Sequence, residues 1–341
     1  MPVTLKDIAA RLNLSVTTVS RALGGYADVA TETQQRILRT AREMGYHPNV
    51  IAQSLQRQRS NTLGFVIPAS GRSLSDPFFL DLLSGIGDGA AERGFDLLVS
   101  TCAPLSSEEV AVYERLVRGR RVDGVVIART RRDDQRLSYL LEQRFPVAAF
   151  GRTDMELAAP YIDVDGASGI VLAMAHLLDH GHRRIAFISP PSYLMFAGHR
   201  LAGYREGLKR RQLPFDPDLV VEGDLSQASG HEVMSKLLTL VNRPTAVLCG
   251  NDLMALGAIH AIQERSLAVG EDIAVVGFDD IPLAEHAHPP LTTVRQPIYD
   301  IGKRLAAMVA SIVVGDDPAD HQLILQPELV VRASSVNGER G

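Results

Sequence analysis

Short runs of apolar residues alternate with segments of helical periodicity through most of this chain, and the alternation occurs twice. The first set of apolar runs lies at residues 63–68, 95–100, 122–128 and 146–150. The second set lies at residues 184–189, 219–223, 245–249 and 273–278. Continuous apolar strands separated by helices are typical of parallel sheets covered on both faces. The pattern therefore predicts two open α/β units.

Residues 1–60 differ from the rest of the chain in charge. They carry eight Lys and Arg residues against four Asp and Glu residues, a formal charge of +4. Because the whole chain carries −5, the remainder carries −9. A basic segment attached to an acidic body favours a nucleic-acid partner.

Three short helices are predicted in this basic segment. Thr4 is placed to cap the first helix, with Asp7 in the capping-box position, and Ser15 is placed to cap the second. Thr31 is placed to cap the third helix, with Gln34 in the box position. This arrangement matches the helix-turn-helix pattern, in which two short helices are joined by a tight turn and a third helix packs against them. In that pattern the second helix enters the major groove of DNA.

The second helix, within LSVTTVSRALGG, has an outer side suited to DNA. Arg21 can bond guanine O6 and N7 in a bidentate way, and the methyl groups of Val16 and Thr17 can meet thymine methyls. Other hydroxyl side chains of the basic segment are better suited to phosphates, namely Thr4 at the start of the first helix and Ser15, Thr18 and Ser20 here.

Residues 48–60 predict a short helix that begins at Pro48. About eight residues cannot hold a helix alone in water, but two copies side by side on DNA would support each other. Leu55 could then enter the minor groove and kink the duplex, and Asn49 is counted with it among the DNA contacts. The alternative is a plain linker with Leu55 packed on the body.

The stretches VTLKDIAARLNLSVTTVSRALGG and AREMGYHPNVIAQSLQRQRSNTLGFVIP resemble the LacI/GalR family of bacterial transcription regulators, and the resemblance runs through about residue 335. It implies a dimer on a near-palindromic operator, with paired hinge helices in the central minor groove. It also implies that Val16, Thr17 and Arg21 read bases and that Leu55 is the hinge wedge.

The resemblance further implies three parts. An all-α helix-turn-helix domain covers residues 1–47, and a hinge helix and linker cover residues 48–60. A two-lobed α/β core like that of periplasmic binding proteins, with two doubly wound parallel sheets, covers residues 61–335. Lobe 1 is expected at about residues 61–162 and 294–323, and lobe 2 at about residues 163–293 and 324–335.

Candidate ligand-binding residues follow the predicted strands, and ligands of open α/β sheets bind at the carboxyl ends of strands. Arg and Asp together suit a carbohydrate, because the guanidinium donates to two oxygens and the carboxylate accepts from hydroxyl groups. The resemblance assigns effector contact most directly to Arg200, Asn251 and Asp279. The full set is Ser70, Phe79, Arg152, Arg200, Asn251, Asp279 and Gln296. The expected effector is a mono- or disaccharide such as a glucoside, and a purine or nucleoside acting as co-repressor is the alternative.

An enzyme is the first competing hypothesis. Residues 85–90, GIGDGA, fit the dinucleotide fingerprint, but that fingerprint needs its glycines directly after a strand. Here they lie inside a helical pattern about 17 residues beyond LGFVIP, so they are predicted to serve close helix packing. The ten histidines show no spacing typical of a metal site, HLLDHGH at residues 176–182 included, and the two cysteines are not a close pair. No enzymatic activity, cofactor or metal is expected.

A periplasmic sugar-binding protein is the second competing hypothesis. The N-terminus lacks the charge and apolar pattern of a signal peptide, and no apolar run reaches the roughly 18 residues of a membrane span. A cytoplasmic location and no membrane contact are therefore expected. The last residues, VNGERG, contain no apolar heptad, so a homodimer is expected.

Overall fold

The computed structural model describes the chain in two units, one within residues 1–60 and one within residues 61–341. The predicted site residues Asn49, Leu55 and Ser70 lie outside the described residues, as does most of the predicted hinge helix. The described residues are 3–24, 26, 28–46, 59–68, 76–155, 159–315 and 322–336.

The first unit contains three helices, α1 to α3, at Leu5–Leu12, Val16–Leu23 and Thr31–Glu43. Asn13 adopts a left-handed backbone conformation with φ of 54°, which ends α1 and turns the chain towards α2. Apolar residues spaced within one turn face inward from each helix and form a shared core of Ile8, Ala9, Val19, Ala22, Ile37 and Ala41. The predicted helix-turn-helix architecture is confirmed.

The first two helix caps are also confirmed. The Asp7 carboxylate accepts hydrogen bonds from the Thr4 backbone amide at 2.8 Å and the Thr4 hydroxyl at 2.7 Å, which completes a capping box. Ser15 Oγ accepts from the backbone amide of Thr18 at 3.0 Å. The bonds from the Thr4 and Thr18 amides each satisfy a donor that the helix itself leaves free.

The predicted cap of the third helix is wrong. Thr31 is the first residue inside α3, and Ala30 occupies the capping position without a side-chain hydrogen bond. Gln34 is not a capping partner either, because its Nε2 donates to the carbonyl oxygen of Ala22 at 3.2 Å. The amide therefore ties α3 to the end of α2, a tertiary role that the local sequence pattern does not reveal.

Replacing Ser15 with alanine is expected to destabilise α2 by about 1 kcal/mol, because the Thr18 amide loses its acceptor. Thr31→Ala is the matched control and should change the stability of α3 by less than about 0.5 kcal/mol, since Thr31 lies inside the helix. Amide hydrogen exchange of the DNA-free protein measures both effects. Unchanged protection of α2 in the Ser15 variant would contradict the capping role.

The second unit alternates helices and strands. Its helices α4 to α12 are Pro77–Ala91, Glu109–Arg118, Gln135–Glu142, Gly166–Asp179, Met195–Arg210, Gln227–Leu237, Asp252–Glu264, Pro282–His286 and Ile298–Val314. Its strands β1 to β12 are Thr62–Pro68, Asp96–Cys102, Gly124–Ile127, Val147–Phe150, Tyr161–Val164, Ile185–Ser189, Val220–Glu222, Ala246–Cys249, Ala274–Asp279, Thr292–Arg295, Gln322–Leu325 and Glu328–Val330.

The strands form two six-stranded sheets, one in each lobe. Lobe 1 has the order β11-β5-β4-β3-β1-β2, and every pairing in it is parallel. Lobe 2 has the order β12-β10-β9-β8-β6-β7 and is parallel except for the β10–β12 pair. Each sheet has an apolar core on both faces, under a layer of helices. The predicted pair of helix-covered parallel sheets is confirmed.

The chain crosses between the lobes three times. It passes from β5 in lobe 1 to α7 in lobe 2, from β10 back to α12 in lobe 1, and from β11 to β12 in lobe 2. These crossings connect the carboxyl ends of strands in one lobe with the other lobe, so that residues following strands in both lobes can border a single cleft.

Two of the three glycines of GIGDGA, Gly85 and Gly89, serve close helix packing, as predicted. A side chain at Gly85 would overlap the backbone of Tyr299, and one at Gly89 would overlap the backbone of Lys303. Both glycines lie inside α4, which therefore packs backbone to backbone against α12. Within the described residues, no helix is both long and apolar enough to cross a bilayer.

Candidate functional site

The outer face of α2 presents hydrogen-bonding groups to solvent. Val19 and Ala22 are buried, whereas Ser15, Thr17 and Arg21 are exposed. Val16 is also 41% exposed, so packing inside the unit does not explain why an apolar residue occupies this position. Methyl groups, hydroxyls and a guanidinium on one exposed helix face can contact thymine methyls, phosphates and guanine edges.

Arg21 is held by neighbours of its own unit. Its Nη2 lies 2.5 Å from Asp28 Oδ2, and its guanidinium lies 4.9 Å from the ring centre of Tyr26. The side chains of this ion pair are about half exposed, so water weakens their attraction. Asp28 and Tyr26 therefore orient the guanidinium, but the ion pair is weak enough for another partner to replace it.

A cavity lies between the two lobes of the second unit. Its volume, including the open mouth, is about 610 Å³. Five of the predicted effector residues line it: Arg152, Arg200, Asn251, Asp279 and Gln296. Four of them follow or end a strand or cap a helix at a strand's carboxyl end, where ligands of such sheets bind, whereas Arg200 lies in the second turn of α8.

Phe79, in contrast, does not line the cavity. Its ring is 1% exposed and packs in the core of lobe 1. The neighbouring Phe78 lines the cavity and stacks on Phe150, with ring centres 5.7 Å apart and planes 23° apart. One residue along a helix turns the side chain by about 100°, so the aromatic wall comes from the adjacent position.

Arg200 is the most enclosed charge of the cavity wall. Its guanidinium carbon lies 3.6 Å from the ring centre of Phe278 and 4.5 Å from that of Phe196. Its Nη1 donates to the carbonyl oxygen of Gly250, and its Nη2 lies 3.8 Å from Asp279 Oδ1. Burial lowers the pKa of Arg200 to about 10, so it stays positively charged at neutral pH. Among the described residues its buried Nε–H has no hydrogen-bond partner, which leaves a donor for a ligand.

Asp279 is the matching acceptor. The Nε2 atom of Gln296 donates to Asp279 Oδ1 at 2.6 Å. The backbone of Asp279 has φ of 120°, an unfavourable value for a residue with a side chain, and such strain is concentrated at functional positions. Burial raises the pKa of Asp279 to about 7, although the positive charge of Arg200 opposes this shift.

Asp252 supports the loop that carries Asp279. It is fully buried and accepts hydrogen bonds from the backbone amide of Ile281 at 2.9 Å and from Thr293 Oγ1 at 2.5 Å. Burial raises the pKa of Asp252 well above its usual range, and the nearby charge of Asp279 adds to the effect. Ionising both carboxyl groups at the same time is therefore energetically unfavourable.

Asn251 lines the cavity and also stabilises the local backbone through two hydrogen bonds. Its Oδ1 accepts from the backbone amide of Met254 at 3.0 Å and caps α10, while its Nδ2 donates to the carbonyl oxygen of Leu225 at 3.0 Å. One amide hydrogen and one lone pair remain for a ligand.

Contacts between the lobes border the cavity on one side. The backbone amide of Met195 in lobe 2 donates to the carbonyl oxygen of Thr130 in lobe 1 at 2.9 Å. Arg152 Nε donates to Asp163 Oδ2 at 2.6 Å, and Arg152 Nη2 lies 3.4 Å from His199 Nδ1. Burial lowers the pKa of His199, as does the charge of Arg152, so the neutral ring can accept this hydrogen bond. Arg152 thus links both lobes at the cavity wall.

Several wall residues were not identified from the sequence. Arg129 lies two residues after the end of β3, and this position was a usable signal; it pairs with Asp76 at 2.7 Å. Asp163 lies in β5, a strand of four residues interrupted by this charge, which hides the apolar pattern. Phe196 offers no local signal, since its place in the wall depends on the packing of lobe 2.

Comparisons with known proteins agree with this arrangement. Residues 4–49 match bacterial regulatory proteins of the lacI family, and residues 174–335 match the periplasmic binding protein-like domain. The HTH-type transcriptional regulator AglR of Rhizobium meliloti is 36% identical over 98% of this chain and 95% of its own length.

Two solved structures are similar over almost the whole chain. The transcriptional regulator CelR–cellobiose complex has a TM-score of 0.77 and 33% identity, covering 98% of this chain and 100% of that one. The Lac repressor dimer bound to operator and the anti-inducer ONPF has a TM-score of 0.85 and 29% identity, covering 99% and 100%. A DNA-binding helical unit and a cleft between two lobes therefore occur in one chain.

Proposed function

This chain belongs to the LacI family of bacterial regulatory proteins, and we propose that it is a repressor whose operator binding is controlled by a mono- or disaccharide in the interlobe cavity. It is a DNA-binding regulator and not an enzyme. It would bind a palindromic operator as a homodimer, one helical unit on each half-site, and act in the cytoplasm, where the chromosome lies.

The observation that carries the proposal is the composition of the cavity wall. Phe78 and Phe196 supply aromatic surfaces on which the apolar C–H face of a sugar ring can lie. Arg200, Asp279 and Gln296 supply donors and acceptors close together, as neighbouring hydroxyl groups require. The relative solved with cellobiose supports a ligand of this class.

The proposed contacts also explain how a sugar would act at a distance. Arg152 and Asp163 belong to lobe 1, whereas Arg200 and Asp279 belong to lobe 2. A ligand that bonds to both sets binds one arrangement of the lobes more tightly and shifts the population towards it. In a dimer, such a shift changes how well the two helical units fit the two half-sites.

Thermal unfolding against a panel of sugars, sugar phosphates and nucleosides tests the proposal. A ligand present at 100 times its dissociation constant stabilises the folded protein by about 2.7 kcal/mol. In a unit of this size we expect the midpoint to rise by roughly 5–10 °C with a glucoside or related sugar. A rise with purines or nucleosides alone would place the effector in that class instead, and no rise with any compound would contradict small-molecule control.

The affinity for the sugar found in this way is expected to depend on pH. Asp279 has a pKa of about 7 in the free protein, so its carboxylate fraction increases from pH 6 to pH 8. An ionised carboxylate is the stronger acceptor for sugar hydroxyls, so affinity should increase by up to about tenfold over this interval. Isothermal titration calorimetry at several pH values measures the change.

Asp279→Asn is the control for this pH dependence. It keeps the size of the side chain but cannot ionise, so its weaker affinity should be nearly constant between pH 6 and pH 8. The same pH profile in the variant and in the wild type would mean that another group titrates.

A further inference from the structure

A cluster of two histidines and one glutamate lies on lobe 2 outside the cavity. His231 comes from α9, and His260 and Glu264 come from α10. His231 Nε2 lies 2.8 Å from Glu264 Oε2, and His260 Nε2 lies 3.4 Å from Glu264 Oε1. One donor atom from each residue falls within 4.8 Å of the other two. The residues lie 29 and 4 positions apart in sequence, so their proximity is a product of the fold.

The two helices hold this cluster together through their closest contact. A side chain at Gly257 in α10 would overlap the backbone of Gln227, and one at Gly230 in α9 would overlap the backbone of Met254. The helix backbones therefore touch, and this contact fixes His231 opposite His260. Within α10, His260 and Glu264 are one turn apart and share a face.

The donor set is one that transition metals prefer. Imidazole nitrogen and carboxylate oxygen bind Zn²⁺ at about 2.0–2.2 Å, and two His plus one Glu with a water in the fourth position is a known arrangement. Ligand atoms around such an ion are separated by about 3.3 Å in a tetrahedral geometry. All three side chains are at least one-third exposed, so small rotations can bring their donor atoms to this spacing.

We propose that His231, His260 and Glu264 bind one divalent transition-metal ion of the zinc class, with water completing the coordination. The ion would clamp α9 to α10. When it binds, the Nε2 atoms face the metal without protons, and each ring proton resides on Nδ1.

Another histidine pair provides a matched comparison. His176 lies in the last turn of α7 in lobe 2 and His180 immediately follows that helix, with ring centres 4.4 Å apart. His176 Nε2 is bonded to Ser335 Oγ at 2.8 Å, and His180 Nδ1 is bonded to a backbone carbonyl at 2.8 Å. No carboxylate of the described residues joins this pair to form a three-ligand group. A change at His180 therefore removes a surface histidine without touching the proposed site.

Metal titration of the untagged full-length protein, first stripped with a chelator, tests the proposal. We expect calorimetry to show one Zn²⁺ ion per chain, and bound Co²⁺ to show the strong visible absorption of low-coordinate sites. His260→Ala and Glu264→Gln should each weaken binding at least tenfold, whereas His180→Ala should not.

Three results would overturn the proposal. The first is an absence of saturable binding by the wild-type protein. The second is unchanged binding by the His260 variant, and the third is an equal loss in the His180 variant. None of these measurements requires DNA or a sugar, so their outcome is independent of the proposed effector.

Discussion

Replacing Arg200 with alanine is expected to shift the response to the sugar effector to much higher sugar concentrations while operator binding by the free protein persists. The guanidinium lies between two aromatic rings and near Asp279, and its Nε–H is available to a ligand. A hydrogen bond from a charged group contributes about 1.5–3 kcal/mol, so losing the one from Nε predicts roughly 10- to 150-fold weaker sugar binding. Calorimetry measures the affinity, and operator release at increasing sugar concentration measures the response.

Two further variants separate ligand contact from damage to the fold. Arg200→Lys keeps the positive charge but loses the planar fork, so it should bind the sugar more weakly than the wild type and more tightly than the alanine variant. Arg205→Ala removes an exposed arginine of the same helix, outside the cavity wall, and should respond as the wild type does. A normal sugar response in the Arg200→Ala variant would exclude Arg200 from the effector site.

The architecture could be predicted from the sequence because the pattern that encodes it is local. Apolar runs bounded by helical segments identify buried parallel strands, and eight of the twelve strands were recognised in this way. Tyr161–Val164 was not recognised, since its buried carboxylate, Asp163, interrupts the apolar pattern and is needed at the cavity. Of the four strands that were missed, this one contains a cavity residue, so local preference and function conflict there.

The finer details depend on tertiary contacts that no local pattern records. Which of Phe78 and Phe79 faces the cavity depends on the rotation of α4 in lobe 1. Gln34 occupies the sequence position of a capping residue but reaches another helix. His231 joins His260 only because α9 and α10 pack through glycines. In each case the residue type was visible in the sequence, and its partner was not.

Replacing Arg21 with alanine is expected to cause the second large effect, a loss of operator recognition. A bidentate contact between arginine and guanine contributes about 1–3 kcal/mol of discrimination. A dimer makes the contact in both half-sites, so the loss should be about 2–6 kcal/mol, which is roughly 30-fold to 10⁴-fold in specific affinity. Binding to unrelated DNA should change far less, because that binding depends mainly on phosphate charge.

The ion pair of Arg21 with Asp28 does not prevent this contact. Both side chains are about half exposed, and pairs of this kind contribute at most about 1 kcal/mol. A guanine edge can therefore compete for the guanidinium, and Asp28→Asn should leave operator affinity equal to or slightly above that of the wild type.

Fluorescence anisotropy measures these changes with a palindromic duplex selected by the wild-type protein from random sequences, and with a scrambled duplex of the same length. Arg36→Ala is the matched control, since Arg36 is an exposed arginine of the same unit but lies on α3. It should lower affinity for both duplexes by similar small factors. If Arg21→Ala lowered affinity for both duplexes equally, Arg21 would contact phosphates only, and base reading would have to come from Val16, Thr17 or the hinge.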